Sequence, residues 1–196
     1  KGAYWDSEVK LSQVGGHVDY PVFTRKVATD VSYLACAARL FEHADVIRPA
    51  YATHNAYTIG AIKHLAAGRP FEFQRLHGMG EEVYDALHAL EGNQRTPVRI
   101  YAPVGGHKEL LAYLVRRLLE NGANSSFVHQ LADESLGLDT LLMSPLRLTA
   151  EPSLPLPSDV LGPGRRNSAG LDLSLPCHRA PLLDARHTAQ LPQLQE

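Results

Sequence analysis

The chain has 196 residues, with 19 basic against 21 acidic residues and a formal charge of −2. That balance offers no electrostatic case for DNA or an anionic membrane as ligand, and no apolar run reaches the roughly 18–20 residues of a membrane span. Two cysteines, Cys36 and Cys177, make neither a disulfide framework nor a zinc spacing and suit a reducing compartment. The first residue is Lys1 rather than Met, and the chain opens straight into an apolar-aromatic segment without a signal peptide. It reads as an internal piece of a longer protein.

In chain order, Gly2-Ala-Tyr-Trp5 reads as the end of a strand. Thr29 is a helix cap, followed at helical spacing by Val31, Leu34, Ala35 and Ala38. Residues 45–53 read as the next strand, which Pro49 can only introduce. Asn55 caps a helix with Ile59, Ile62 and Leu65 on one face, closed at Gly68. Residues 71–76 alternate as a strand, and their helix carries Val83, Leu87 and Leu90 and stops at Gly92. Residues 98–102 form the fourth strand, before a helix that ends at Gly122.

Four strand–helix units in succession predict an α/β fold with parallel strands, either a doubly wound sheet or a (β/α)8 TIM-type barrel. No Gly-x-Gly-x-x-Gly turn follows a strand, which weakens a dinucleotide-binding reading. Polar residues cluster instead after strand ends: Trp5-Asp6, His54-Asn55, His77 to Gly80, and Tyr101. A barrel gathers such sites on one face. Four units are half a barrel with two unpaired edges, so the other half is expected upstream. Beyond about residue 140, prolines interrupt every period, and the segment reads as an extended connector.

The last helix carries Arg116 and Arg117 inside an apolar run. Neighbours on a helix point about 100° apart, so one arginine must face the side that Leu110, Leu111, Leu114, Val115 and Leu118 would bury. An unpaired buried guanidinium is costly. The pair therefore calls for a carboxylate or phosphate ligand, or for an internal partner such as Glu120; a surface arginine beside a snorkelling one is the plain alternative. His54 opens Thr-His-Asn-Ala after a strand and can donate to a ligand, bind metal or cap a helix. His77 lies in Leu-His-Gly-Met-Gly, where the glycines allow a tight turn or close approach to a ligand. Ten histidines form no His-Glu-x-x-His pair, and no metal site is expected. His43, His64 and His88 read as solvated helix-face residues, and Asp6 and Glu8 as loop solvators.

Several long segments, taken in order, resemble the proline dehydrogenase family as it occurs in the bifunctional bacterial flavoenzymes of proline utilization. They are Lys1 to Glu8, Tyr20 to Lys26, Thr29 to Ala37, Ala52 to Ala56, Phe73-Gln74 with Leu76 to Glu81, Arg99 to Gly105 and Tyr113 to Asn124. A later run, Leu154-Pro-Leu-Pro and then Gly162-Pro-Gly-Arg-Arg-Asn-Ser-Ala-Gly-Leu-Asp-Leu173, resembles that family's connector towards an aldehyde dehydrogenase domain. The resemblance covers residues 1–175. It implies the C-terminal half of a proline dehydrogenase barrel over 1–135, a connector over 136–175 and a divergent, disordered tail over 176–196.

The resemblance further implies FAD held non-covalently at the C-terminal face of the barrel. L-Proline would be oxidised to pyrroline-5-carboxylate, with electrons passed to quinone. Arg116 and Arg117 would clamp the proline carboxylate, and Tyr4, Leu76 and Tyr101 would wall its ring. Gly2, Ala3, Trp5, Thr29, His54, Gln74, Glu120 and Phe127 would contact the flavin. The parent would be cytoplasmic, peripheral at the inner membrane face, with NAD used by an aldehyde dehydrogenase domain absent here. This segment gives no indication of DNA binding. An arginine expected just before Lys1 and the upstream lysine and aspartate facing substrate are absent, and Arg75 stands where relatives often carry a small residue. The competing readings are a non-catalytic fragment or interaction module, and a metal-dependent barrel hydrolase.

Overall fold

The computed structural model describes residues 4–121, 127–131, 133, 135–148 and 153–189. They fall into two compact units, one built on Arg25–Pro152 and one on Tyr4–Thr24 with Ser153–Glu196. Helix α1 (Trp5–Gly15) belongs to the second. The first runs α2 (Lys26–Glu42), β1 (Ala50–Ala52), α3 (Ala56–Ala66), β2 (Glu72–Leu76), α4 (Glu81–Glu91), β3 (Val98–Tyr101), α5 (His107–Asn121), then the short helices α6 (Phe127–Leu131) and α7 (Leu138–Leu141).

The three strands pair in parallel in the order β1-β2-β3. Tyr51 lies opposite Phe73 and Phe73 opposite Val98, so one face of the sheet is apolar. That face carries the core, with Ala37, Phe41, Tyr51, Ile59, Ile62, Ala66, Phe71, Phe73 and Tyr84 buried together. Aromatic edges bind it: Phe41 to Phe71 at 5.6 Å, Phe71 to Phe73 at 5.0 Å and Phe73 to Tyr84 at 5.7 Å between ring centroids. Asn55 starts α3 by accepting the Thr58 amide on its Oδ1 at 3.1 Å, as its position predicts. Gly92 follows the end of α4, also as predicted.

Four strand–helix units were expected, and the described residues contain three. Gly2 and Ala3 lie outside them, and Trp5 begins a helix rather than ending a strand. Asp6 and Glu8 in its first turn complement the helix dipole, and Gly16 closes it in the left-handed conformation (φ 61°). Thr29 is not the cap of α2, which starts three residues earlier after an extended Arg25. The buried face of α2 is Ala37 and Phe41, flanked by Tyr33 and Leu40, one step round from the predicted one. The predicted stop at Gly122 lies outside the described residues.

In the second unit the connector is tied to α1. The Tyr20 hydroxyl donates to the Pro155 carbonyl at 2.7 Å, and Asn167 Nδ2 to those of Gln13 (2.6 Å) and Pro157 (3.1 Å). The Gly170 amide donates to the Gly16 carbonyl at 2.8 Å. Residues 4–24 therefore group with the connector, a division different from the expected one at 135 and 175. Of the tail expected to be disordered over 176–196, residues 176–188 form α8 (Pro176–Thr188), and 190–196 lie outside the described residues. Pro176 occupies its first position, where a missing N–H costs nothing and a fixed φ helps. Counting prolines as breakers misread that one as a stop when it is a start.

Candidate functional site

The second face of the sheet is polar. Period-two alternation places Glu72, Gln74 and Leu76 of β2 there, with Arg99 and Tyr101 of β3 beside them in register. Glu72 is buried and accepts from Arg99 Nε at 2.7 Å and Nη2 at 2.9 Å, a two-pronged bond, and from Gln74 Nε2 at 3.2 Å. Arg48 stands 4.0 Å away. The Arg99 hydrogen bonds, then that of Gln74, hold the Glu72 carboxyl at a pKa of about 2. Neither Glu72 nor Arg99 was singled out from sequence. The signal was there: both alternate with apolar neighbours inside strands.

At the C-terminal end of β1, hydrogen bonds fix His54 from several sides. Tyr33 Oη donates to the Ala52 carbonyl at 3.0 Å and Tyr84 Oη to the Thr53 carbonyl at 2.8 Å. The Thr53 amide reaches the Gln74 carbonyl at 3.3 Å. The Leu76 amide donates to His54 Nε2 at 3.1 Å. Burial raises both phenols, Tyr33 to about 12 and Tyr84 further. Burial first, then the charges of Arg117 and Arg75, lower the His54 pKa and favour the neutral ring. Arg75 is held by Glu81 and the Leu76 and Met79 carbonyls, each at 3.3 Å.

Helix α5 corrects the expected orientation. Leu111, Leu114, Val115 and Leu118, expected to be buried, are exposed, Leu118 by 72%. The inward stripe is instead Leu110, Tyr113, Arg116, Arg117 and Glu120, all half-buried. Arg117 pairs with Glu120 and lies over the Tyr113 ring at 5.3 Å. The internal partner foreseen for the arginines is thus present for Arg117. Its Nε is nevertheless buried and, among the described residues, has no acceptor. An unsatisfied buried N–H costs about 1–3 kcal/mol, and a carboxylate or phosphate would remove that cost.

The structure brings His54 and Arg117 within electrostatic reach of each other, and sets Gln74, Leu76 and Tyr101 on one sheet face. Thr29 is half-buried in the first turn of α2, and Phe127 is buried in α6. Tyr4, 61% exposed, and Trp5, whose Nε1 donates to the Phe23 carbonyl at 2.8 Å, belong to the second unit. Gly2 and Ala3 lie outside the described residues. Among the described residues no group of three or more His, Cys, Asp or Glu side chains could hold a metal ion. No described helix is long and apolar enough to cross a membrane.

A sequence model of the family described as proline dehydrogenase matches residues 1–130. The chain belongs to the proline dehydrogenase family. The bifunctional protein PutA of Salmonella typhimurium is 53% identical over 192 residues, covering 89% of this chain and 14% of that protein. Its counterpart in Escherichia coli K12 is also 53% identical over 192 residues, with the same coverage. A crystal structure of bifunctional proline utilization A superposes with a TM-score of 0.89 at 46% identity, over 100% of this chain and 20% of that one. The chain thus spans about one seventh of these curated relatives. The structural match extends over the whole chain, whereas the curated relatives match 89% of it, in keeping with a sequence resemblance that fades near residue 175.

Proposed function

We propose that this segment is the second half of the FAD-binding (β/α)8 barrel of a bifunctional proline dehydrogenase, which oxidises L-proline to pyrroline-5-carboxylate. The observation that carries the reading is the inverted α5. Its arginine stripe turns inward, the Arg117 Nε is buried and among the described residues has no acceptor, and Arg117 acts electrostatically on His54 at a strand end. Its leucine stripe turns outward, as a helix does when further protein is to cover it. A parallel sheet whose second face carries Glu72, Gln74, Arg99 and Tyr101 likewise calls for cover on that side. An upstream half-barrel supplies both covers, so the isolated chain is inactive.

In this reading Arg116 and Arg117 hold the proline carboxylate, a planar anion matched to their forked donors. Leu76 and Tyr101 wall the pyrrolidine ring and exclude water from it. His54, Gln74, Thr29, Glu120 and Phe127 hold the flavin. FAD bound there supplies a two-electron acceptor. The site's donor set fits such a group: a neutral imidazole and an amide for uncharged atoms, and guanidinium groups for anionic ones. Tyr4, Trp5, Gly2 and Ala3 keep the roles that the resemblance implies. Electrons pass on to quinone at the inner membrane face from a cytoplasmic protein, and NAD serves a further domain.

The test is anaerobic mixing of L-proline with the FAD-loaded parent protein, followed by flavin bleaching. Bleaching is expected, and Arg116→Met and Arg117→Met should mainly raise the proline KM. Absence of bleaching, or an unchanged KM in both variants, contradicts the reading.

A further inference from the structure

The hydrogen bonds around His54 determine which of its nitrogens carries the proton. A backbone amide can only donate, so the Leu76 N–H at 3.1 Å requires a lone pair on Nε2. A neutral ring must then carry its proton on Nδ1. The ring is also sterically confined: a Cβ added to Gly80 would lie 3.0 Å from His54 Cδ2, and Gly80 (φ 65°) is the residue that starts α4. The backbone on which the ring hangs is held by Tyr33 and Tyr84 through the two preceding carbonyls. Arg75 on β2 and Arg117 on α5 face the ring electrostatically, their own counter-charges being Glu81 and Glu120. A second positive charge on the imidazole would repel both. Among the described residues nothing accepts from Nδ1.

We propose that His54 is a fixed, uncharged Nδ1–H donor reserved for a neutral acceptor atom of the flavin, a ring carbonyl, ring nitrogen or ribityl oxygen. The anionic parts of the ligands fall to the arginines. Leu76, through its amide, and Tyr84 and Gly80 are positioning residues for that donor. The inference rests on the flavin reading above and adds the tautomer, the neutrality and the class of acceptor. The energetic logic is selectivity. A charged imidazolium would compete with Arg116 and Arg117 for the substrate carboxylate and misplace it, whereas a neutral donor does not.

Two measurements test it. Solid-state 15N NMR of the complete parent protein, labelled at histidine, reports the tautomer of His54 by difference against the His54→Asn variant. The Nδ1–H pattern at neutral pH is expected; an Nε2–H pattern or an imidazolium overturns the proposal. FAD affinity is then compared in His54→Asn and His54→Gln. The Asn amide places its N–H near the Nδ1 position and the Gln amide near Nε2. Asn should therefore keep affinity within a few-fold, and Gln should lose about tenfold, the value of one hydrogen bond to a site that then lacks its donor. The reverse order overturns the proposal. An Nδ1–H tautomer with FAD affinity unchanged in both variants shows the lock to be real and overturns the flavin as its acceptor. An Nε2–H tautomer with normal proline-driven bleaching sinks the proposal and leaves the flavin reading standing.

Discussion

Replacing Tyr84 by Phe removes one atom and probes what positions His54. Tyr84 is 2% exposed, its ring packs on Phe73 at 5.7 Å, and its hydroxyl donates to the Thr53 carbonyl at 2.8 Å. Phenylalanine keeps the ring contact and leaves no cavity of consequence, so the change isolates the hydrogen bond. The Thr53 carbonyl would lose its donor in a half-buried setting, which costs about 1–3 kcal/mol. Tyr33→Phe is the internal control. Its hydroxyl bonds the carbonyl of the exposed Ala52, where water can take its place, so its cost is about 0.5–1 kcal/mol. The assay is urea unfolding combined with hydrogen exchange at the Leu76 amide, which is bonded to the His54 ring. Tyr84→Phe should speed that exchange by about tenfold or more, and Tyr33→Phe by much less. Equal effects, or a larger one for Tyr33, would refute the reasoning that the Tyr84 bond is the one that holds the strand end.

The remaining expectations concern charge and backbone. Glu72 has a folded pKa of about 2, below its unfolded value, so its stabilising contribution is present above the ordinary carboxylate range and is lost as pH falls towards 2. Arg99→Met should move that acid loss to higher pH, read from a set of unfolding curves; an unchanged acid limb would contradict the pairing. Tyr33 and Tyr84 shift the other way. Their raised values favour the folded state below pH 10 and cost it stability as pH rises beyond; burial raises Tyr51 in the same direction, so tyrosinate absorbance should show three phenols resisting ionisation until the chain unfolds. Gly16→Ala should loosen the connector, because a Cβ there would lie 1.9 Å from the Ser168 carbonyl oxygen at a φ of 61°. Limited proteolysis between residues 153 and 175 should accelerate, and unaltered cleavage would show that the contact is not needed.

The strand–helix rhythm was legible because period two at 71–76 and helical spacing in α3 and α4 are each set by a single buried face. The opening segment misled because four apolar and aromatic residues look alike at a strand end and a helix start; Asp6 and Glu8 in the first turn were the available signal. On α5 both stripes could be read from sequence, but not which of them turns inward. Periodicity assigns the apolar stripe to the protein's own core, whereas among the described residues that stripe is exposed. The Glu72–Arg99 pair lies within β2 and β3 rather than after a strand end, so its sequence signal is only a charge flanked by apolar residues on each strand. For the connector, counting prolines reported local conformation correctly and missed its attachment to α1 through Asn167 and Gly170, which depends on long-range contacts.

The central claim is that Arg117, with its neighbour, grips an anionic carboxylate. Its most direct test is the binding of L-proline against L-prolinamide to the oxidised, FAD-loaded parent, in the wild type and in Arg117→Met. Charge-assisted bonds of about 1.5–3 kcal/mol predict that the wild type prefers the carboxylate by roughly ten- to a hundredfold. The preference should shrink by about tenfold in Arg117→Met through loss of proline affinity, Arg116 sustaining the remainder. A preference that survives the substitution intact would contradict the account.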